Sequence, residues 1–301
     1  MSQEITRRHF HKTVLSMATT APLAACSHLI PHHPVQAIDC HAHVFHRGLP
    51  MPDKRRAPSG YDAPLSAYLQ QLDSHGMSHG VLVQPSFLGT DNRYLVECLQ
   101  QQPQRLRGIA VVDATVDTAE LERLAQAGIV GIRLNLVGLP NPDLRSAAWV
   151  GLLGQVRRLG WQVEVHQSAG ALQGVVDPLL DAGVQVVVDH FGRPDARLGV
   201  DDPGFQYLLE RGRSRQIWVK LSGAYRNGSH GAGEATALRA IPLLRASFGL
   251  NRLLWGSDWP HTLFEQTATY TAQREALDQW LPLAEDRQRV LWDTPAALFR
   301  F

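Results

Sequence analysis

The sequence predicts an α/β chain in which a single (β/α)8, or TIM, barrel spanning residues 35–301 follows an N-terminal segment, residues 1–34. Three observations carry that expectation. Eight short β-branched runs recur after residue 34. Amphipathic stretches at helical spacing lie between them, and strands separated by helices imply parallel pairing. The side chains able to do chemistry stand at the C-terminal ends of the runs, where βα loops build the mouth of such a barrel. An open doubly wound sheet is the competing architecture, but no GxGxxG follows the first run.

Residues 1–34 read as an address. ITRRHFHK pairs Arg7 with Arg8 ahead of Phe10 and Lys12, and TVLSMATTAPLAA follows without an acidic residue. This resembles a twin-arginine export signal. It ends in Leu23-Ala24-Ala25-Cys26, which is similar to a lipoprotein cleavage box with Cys26 as the lipid-bearing residue. A periplasmic protein, anchored to lipid through Cys26, is therefore expected, with SHLIPHHP as linker. A frayed terminus is the alternative.

A 301-residue chain that is 44% hydrophobic can bury a sizeable core. Its formal net charge of +1, without a block of like charges, argues against nucleic acid as a partner. Cys40 and Cys98 have no metal or redox spacing and read as small core residues. Oligomeric state is not set at this level.

In order, the strands are VQAIDCHAH, GVLVQPS, LRGIAVV, VGIRLNL, WQVEVHQ, VQVVVDH, IWVKLSG and RLLWGSD. Helical patterns follow in PLSAYLQQLDSHG, YLVECLQQ, TAELERLAQAG, AAWVGLLGQVRRLG and GEATALRAIPLLRASFG. Leu65, Leu69 and Leu72 share one face of the first, and Gly76 offers its stop. The region from Phe45 to Pro64, rich in Pro, Gly, Arg and Lys, reads as a long loop over the barrel mouth.

The first strand ends in His41 and His43, the fifth in His166, the sixth in His190 and the eighth in Asp258. Strand alternation points His41 and His43 one way and Cys40 and Ala42 the other. The same parity turns Gln162, Glu164 and His166 inward and Val163 and Val165 outward, and it places Arg133 inside the barrel. Three imidazoles and a carboxylate, His41, His43, His166 and Asp258, suit one divalent ion, Zn²⁺ first and Mn²⁺ second, with an open position for water. Such an ion lowers the pKa of its water to about 7. Asp258 would be both ligand and proton acceptor. The bland alternative makes these residues ordinary hydrogen-bonded groups.

Arg193 and Arg226 follow the sixth and seventh strands and, with Arg133, offer contacts to a small anionic substrate. Structural pairing with Asp or Glu is the competing role, more so for Arg193 than for the other two. Ser86 and Tyr225 are candidate hydrogen-bonding groups, and His261 either lines the pocket or orients Asp258. Most tryptophans read as core; Trp259, beside the base, is the exception.

Together these residues resemble the amidohydrolase superfamily, and more narrowly its amidohydrolase 2 branch, which contains 2-pyrone-4,6-dicarboxylate and sugar-acid lactonases. YDAPLSAYLQQLDSHGMSHGVLVQPSFLGTDNRYL, RLRGIAVVD, GIRLNL, DHFGRPD, WVKLSGAYRNG and WGSDWPH carry the resemblance over about residues 36 to 301. It implies hydrolysis of a lactone or related ester. Asp258 would be the general base; His41, His43 and His190 would hold a metal or the substrate carbonyl; Arg133 and Arg226 would grip a carboxylate. Members of the branch that work without metal lack a histidine at the fifth strand, so His166 tilts the reading toward a metal, while the metal-free route stays open. The pyrone enzyme has a further arginine after its fourth strand and a tyrosine in its first loop; NLVGLPNP and KRRAPSGYDA stand there in this chain, which breaks the dicarboxylate pattern. Two alternatives remain: a metal-dependent decarboxylase using the same strand ends, and a non-catalytic periplasmic binding protein.

Overall fold

The computed structural model describes residues 36–52, 56–58 and 60–301; the export signal and the lipobox with Cys26 lie outside the described residues. Eight strands follow one another as β1 (Ile38–Ala42), β2 (His79–Val83), β3 (Leu106–Ala110), β4 (Ile129–Asn135), β5 (Gln162–His166), β6 (Gln185–Val188), β7 (Ile217–Leu221) and β8 (Leu253–Trp255). Each pairs in parallel with the next, in sequence order. The ring is drawn together beyond the strand ends. Ala42 pairs with Trp259; the His43 amide donates to the Trp259 carbonyl and the Asp258 amide to the His41 carbonyl, each at 2.8 Å.

Helices α1 (Leu65–Ser74), α2 (Arg93–Gln101), α3 (Thr118–Gln126), α4 (Ala147–Arg158), α5 (Gln173–Asp181), α6 (Pro203–Arg211), α7 (Ala232–Phe248) and α8 (Tyr270–Trp280) complete the alternation. Two of those absent from the sequence reading start on local signals. Asp202 accepts from the Gly204 amide ahead of Pro203 in α6, and Thr269 accepts from the Ala272 amide in α8.

Strand parity sorts the core into two layers. Leu82, Val163, Val165, Val186 and Val188 pack with helix residues such as Leu72, Leu99 and Leu152. The opposite strand faces, including Val81, Val83, Ile109, Val187 and Leu254, form a second cluster with Leu298 and Phe299 from the C-terminal helix (Thr294–Phe299). Cys40 belongs to this second cluster and Ala42 to the first. The expected grouping of Cys40 with Ala42 therefore fails. The cause is a slip in β1–β2 register between Asp39 and Ala42, an irregularity of the kind that re-aims a side chain near a site. Buried Asp39 ties the slipped stretch to the end of β8, accepting from the Ser257 amide at 2.8 Å and its hydroxyl at 2.6 Å.

Candidate active site

Asp258 is fully buried just beyond β8, in a left-handed conformation (φ 60°). Its Oδ2 accepts from the Tyr225 hydroxyl at 2.6 Å and from Arg226 Nε. Oδ1 has no hydrogen-bond partner among the described residues and lies 3.8 Å from His41 Nε2 and 3.9 Å from His43 Nε2. Burial works to raise the Asp258 pKa, but Arg226, then His190 and His41, hold it well below the usual carboxylate range. One oxygen is thus held and the other faces the histidines as an ionised acceptor. Gly223 (φ +55°) makes this packing possible, because a Cβ there would lie 2.8 Å from Asp258 Oδ2 and 2.9 Å from His190 Nδ1.

The rings of His41 and His43 stand 4.9 Å apart, so both reach one volume despite the slip in β1. His43 Nδ1 bonds the Val83 carbonyl at 2.7 Å, which fixes the proton there and leaves the Nε2 lone pair toward Asp258. His190 Nδ1 bonds the Ser222 hydroxyl at 2.9 Å. Burial, first among the causes, keeps these rings neutral: His41 is lowered to about 4, and His43, His166 and His190 well below the ordinary histidine value.

Beneath the histidines runs an ionic layer that motif reading missed. Lys220 is completely buried, its Nζ 2.7 Å from Glu164 Oε2, 3.1 Å from His41 Nδ1 and 3.5 Å from Asp189 Oδ1. Arg133 reaches Asp189 Oδ2 through Nε at 2.9 Å and Nη2 at 2.8 Å, inside the barrel as parity predicted. Burial favours the neutral form of Asp189, yet Arg133 and then Lys220 hold it well below its ordinary value. Glu164, also pushed by burial, moves up to about 7 against the pull of Lys220. A signal did exist: Val219 and Leu221 flank Lys220 in a β-branched strand, which turns the lysine inward.

His41 Nε2, His43 Nε2 and Asp258 Oδ1 lie within 4.8 Å of one another, and two of these atoms, His41 Nε2 and Asp258 Oδ1, are buried without a partner among the described residues. Two imidazoles and a carboxylate oxygen so placed fit a divalent cation. His41, His43 and Asp258 would hold it. His166, expected as a fourth ligand, falls outside that group and outside the second one, His41, Asp189 and His190. Its Nδ1 instead faces Arg56 Nη1 at 3.5 Å. Its Nε2 is buried without a partner among the described residues.

A pocket of about 350 Å³ opens above, lined by His43, His166 and His190, by Asp258, and by Arg56, Arg133, Arg226 and Ser86. The arginines reverse the expected pattern. Arg133 and Arg226 are paired with Asp189 and Asp258, whereas Arg193 has no carboxylate partner among the described residues, and its Nε is buried and unbonded. Tyr225 bonds Asp258 directly, and His261 Nδ1 lies 3.1 Å from the Tyr225 hydroxyl, so that hydroxyl bridges His261 and Asp258. Trp259 belongs to the outer core after all, stacked on Tyr68 with centroids 5.5 Å apart. Arg56 was overlooked because a basic residue in a loop ordinarily reads as solvated.

The Amidohydrolase family (Amidohydro_2) matches residues 38–301. The chain belongs to this family. The amidohydrolase is 33% identical over 284 residues to a 2-pyrone-4,6-dicarboxylate hydrolase of Comamonas testosteroni, covering 88% of this chain and 90% of the relative. It is 30% identical over 277 residues to a 4-sulfomuconolactone hydrolase of Rhizobium radiobacter, with the same coverage of 88% and 90%. Among solved structures it resembles one from Acinetobacter baumannii, described as a probable 2-pyrone-4,6-dicarboxylic acid hydrolase with citric acid bound: TM-score 0.84, 40% identity, 88% of this chain and 99% of the other. The relatives thus agree with the barrel, and their names with an enzyme acting on lactone ester bonds.

Proposed function

We propose that this amidohydrolase opens a lactone of a small acidic molecule, with Asp258 as general base. The observation that carries the reading is the Asp258 carboxylate, ionised and buried, with one oxygen held by Arg226 and Tyr225 and the other turned to the histidines in an arginine-lined pocket. The lactone-hydrolase names of the relatives and the citric acid in one of them support the substrate class.

In this scheme water placed between Asp258 Oδ1 and the lactone carbonyl gives its proton to Oδ1 as its oxygen attacks the carbon. With Ser222 donating to Nδ1, His190 presents Nε2–H to the developing oxyanion, and the open N–H groups of Arg133 add charge. Collapse breaks the ring C–O bond, and the leaving oxygen takes the proton from Asp258. A divalent cation, Zn²⁺ or Mn²⁺, held by His41, His43 and Asp258 would polarise the carbonyl and make its water more acidic. Export by a twin-arginine route, with lipid attachment at Cys26, is the companion proposal for residues 1–34 and rests on their sequence alone.

Asp258→Asn tests the assignment. Turnover of a pyrone carboxylate should fall by about 10²- to 10⁴-fold, the usual weight of a general base, while circular dichroism stays that of the wild type. The product should be the ring-opened acid without carbon dioxide. Retained turnover sinks the assignment of the base, and released carbon dioxide would select decarboxylation.

A further inference from the structure

We propose that the face of the barrel opposite the mouth docks on an anionic phospholipid bilayer, through arginines that no carboxylate neutralises. Arg107 is the second residue of β3, Arg215 and Arg252 lead into β7 and β8, and Arg300 follows the C-terminal helix, so all four stand at the strand starts. Among the described residues none of them pairs with an acid, and three are held by carbonyls and aromatic faces instead. Arg107 donates to the Pro103 and Leu106 carbonyls at 2.9 Å and to the Arg300 carbonyl at 3.1 and 3.3 Å, and it lies 4.7 Å from the centre of the Phe301 ring. Arg252 lies 5.1 Å from the centre of the Trp218 ring, and Arg300 donates to the Leu159 carbonyl at 3.2 Å. Such contacts fix a guanidinium without cancelling its charge. Half-buried Trp218 and Trp292 on the same side are rings of the type that sits at headgroup level.

Like charges are crowded here. Burial, then Arg300, lowers the Arg107 pKa, and burial, then Arg215, lowers that of Arg252. Arg157 and Arg213 are exposed on the same side, where the acids without a cation partner among the described residues are Glu210, Glu285 and the C-terminal carboxylate. The excess is positive. At the mouth rim the sign reverses: Asp113 beyond β3, and Asp117, Asp143 and Glu234 at the starts of α3, α4 and α7, are exposed and pair with no cation among the described residues. A chain of net charge +1 is thus a dipole across its barrel. An anionic surface attracts one end of it and repels the other.

The path of the chain favours a bilayer over other polyanions. The Ala37 carbonyl accepts from the Ser78 amide at 2.9 Å and the His79 amide at 3.0 Å, in the turn between α1 and β2, so β1 is entered from the arginine side. Ten residue steps separate Cys26 from Gln36, at most about 36 Å of chain. A lipid on Cys26, the companion proposal for residues 1–34, keeps this face within that tether of the membrane. Lipid and basic patch then act as two anchors on one surface. Docked this way, the barrel turns its mouth to solution, where a water-borne substrate enters.

The test uses the full chain and sedimentation with vesicles of phosphatidylcholine, alone or mixed with phosphatidylglycerol. Wild type is compared with Arg107→Gln/Arg215→Gln/Arg252→Gln/Arg300→Gln and with Arg93→Gln/Arg123→Gln/Arg145→Gln/Arg239→Gln. The second set makes the same change in net charge at exposed arginines that are paired with carboxylates. Residues 1–34 are common to all three proteins, so differences among them report the barrel. Wild type should bind phosphatidylglycerol vesicles about tenfold or more tighter than neutral ones, a preference erased in about 1 M salt, where the Debye length is about 3 Å. At about fivefold per arginine, the first variant should lose about 10²-fold and the second under about threefold. Arg215→Glu, a single change at an exposed site, should lose about fivefold or more and keeps the test readable if the first variant misfolds. Equal loss in the two quadruple variants, or no preference for phosphatidylglycerol in the wild type, overturns the inference. Duplex DNA bound as tightly, and lost as steeply in the first variant, overturns the lipid assignment. None of these outcomes depends on whether lactones are opened.

Discussion

Lys220→Met asks whether the ion network inside the barrel holds it together. The substitution leaves Glu164 without the cation at 2.7 Å, whereas Asp189 keeps Arg133 at 2.8 and 2.9 Å. Glu164 is already raised to about 7, by burial against the pull of Lys220, so losing Lys220 raises it further. The sign follows from linkage. A carboxyl whose folded pKa exceeds its unfolded value contributes stability that is fully present below the unfolded pKa and is lost as pH rises through the folded one. At pH 5 Glu164 carries a proton in both proteins and the deficit is small. Above pH 7 the wild type ionises while the variant must keep its proton, and the deficit grows by about 1.4 kcal/mol per pH unit. At pH 9 it reaches about 3 kcal/mol, the low end of the 3–5 kcal/mol expected for a broken buried pair. Urea denaturation at pH 5 and pH 9 reads this directly. Adding Glu164→Leu should recover most of the loss, since well-packed apolar groups replace a buried pair at little cost. A deficit equal at both pH values, or a double variant as weak as the single one, refutes the reasoning.

Gly223→Ala should cost about 1–2 kcal/mol for the left-handed backbone and, by displacing Asp258 and His190, about 10²-fold in kcat; melting and turnover measure the two separately. Because burial keeps His41 and His261 neutral down to about 4, kcat/KM should be flat from about pH 5.5 to 7.5, and an acid limb near the ordinary histidine pKa would contradict it. Elemental analysis should find that His43→Ala loses a bound Zn²⁺ or Mn²⁺ while His166→Ala keeps it; loss in the second variant would restore His166 as a ligand. Replacing Arg7 and Arg8 by Lys should leave the precursor in the cytoplasm on cell fractionation, and periplasmic protein from that variant would count against the twin-arginine reading.

The eight strands were legible because β-branched runs bounded by glycine and polar residues have few other uses in a chain of this length. Helix α8, YTAQREALDQW, escaped because its buried residues, Tyr270, Gln273, Leu277 and Trp280, include a polar one and give a thin apolar stripe. His41, His43, His166, His190 and Asp258 could be found by combining parity with the rule that barrel chemistry sits at strand ends. Their roles could not. The Arg133–Asp189 pair joins residues 56 apart in sequence, and no local pattern records it. Arg56 and the slip at Asp39 depend on how a loop and a strand end settle against distant elements, information that exists only once the ring has formed.

That dependence has a kinetic side. The seam between β1 and the end of β8 joins Asp39 to Ser257, 218 residues apart, and the same seam brings Asp258 to His41 and His43. Contacts of such separation are slow to form, because the chain entropy must be given up before the contact stabilises anything. A chain with its first seven strands in place and the seam still open would therefore have its histidines without Asp258 beside them. Return of turnover during refolding is a clock for closure of the seam, and should lag behind the return of helical signal.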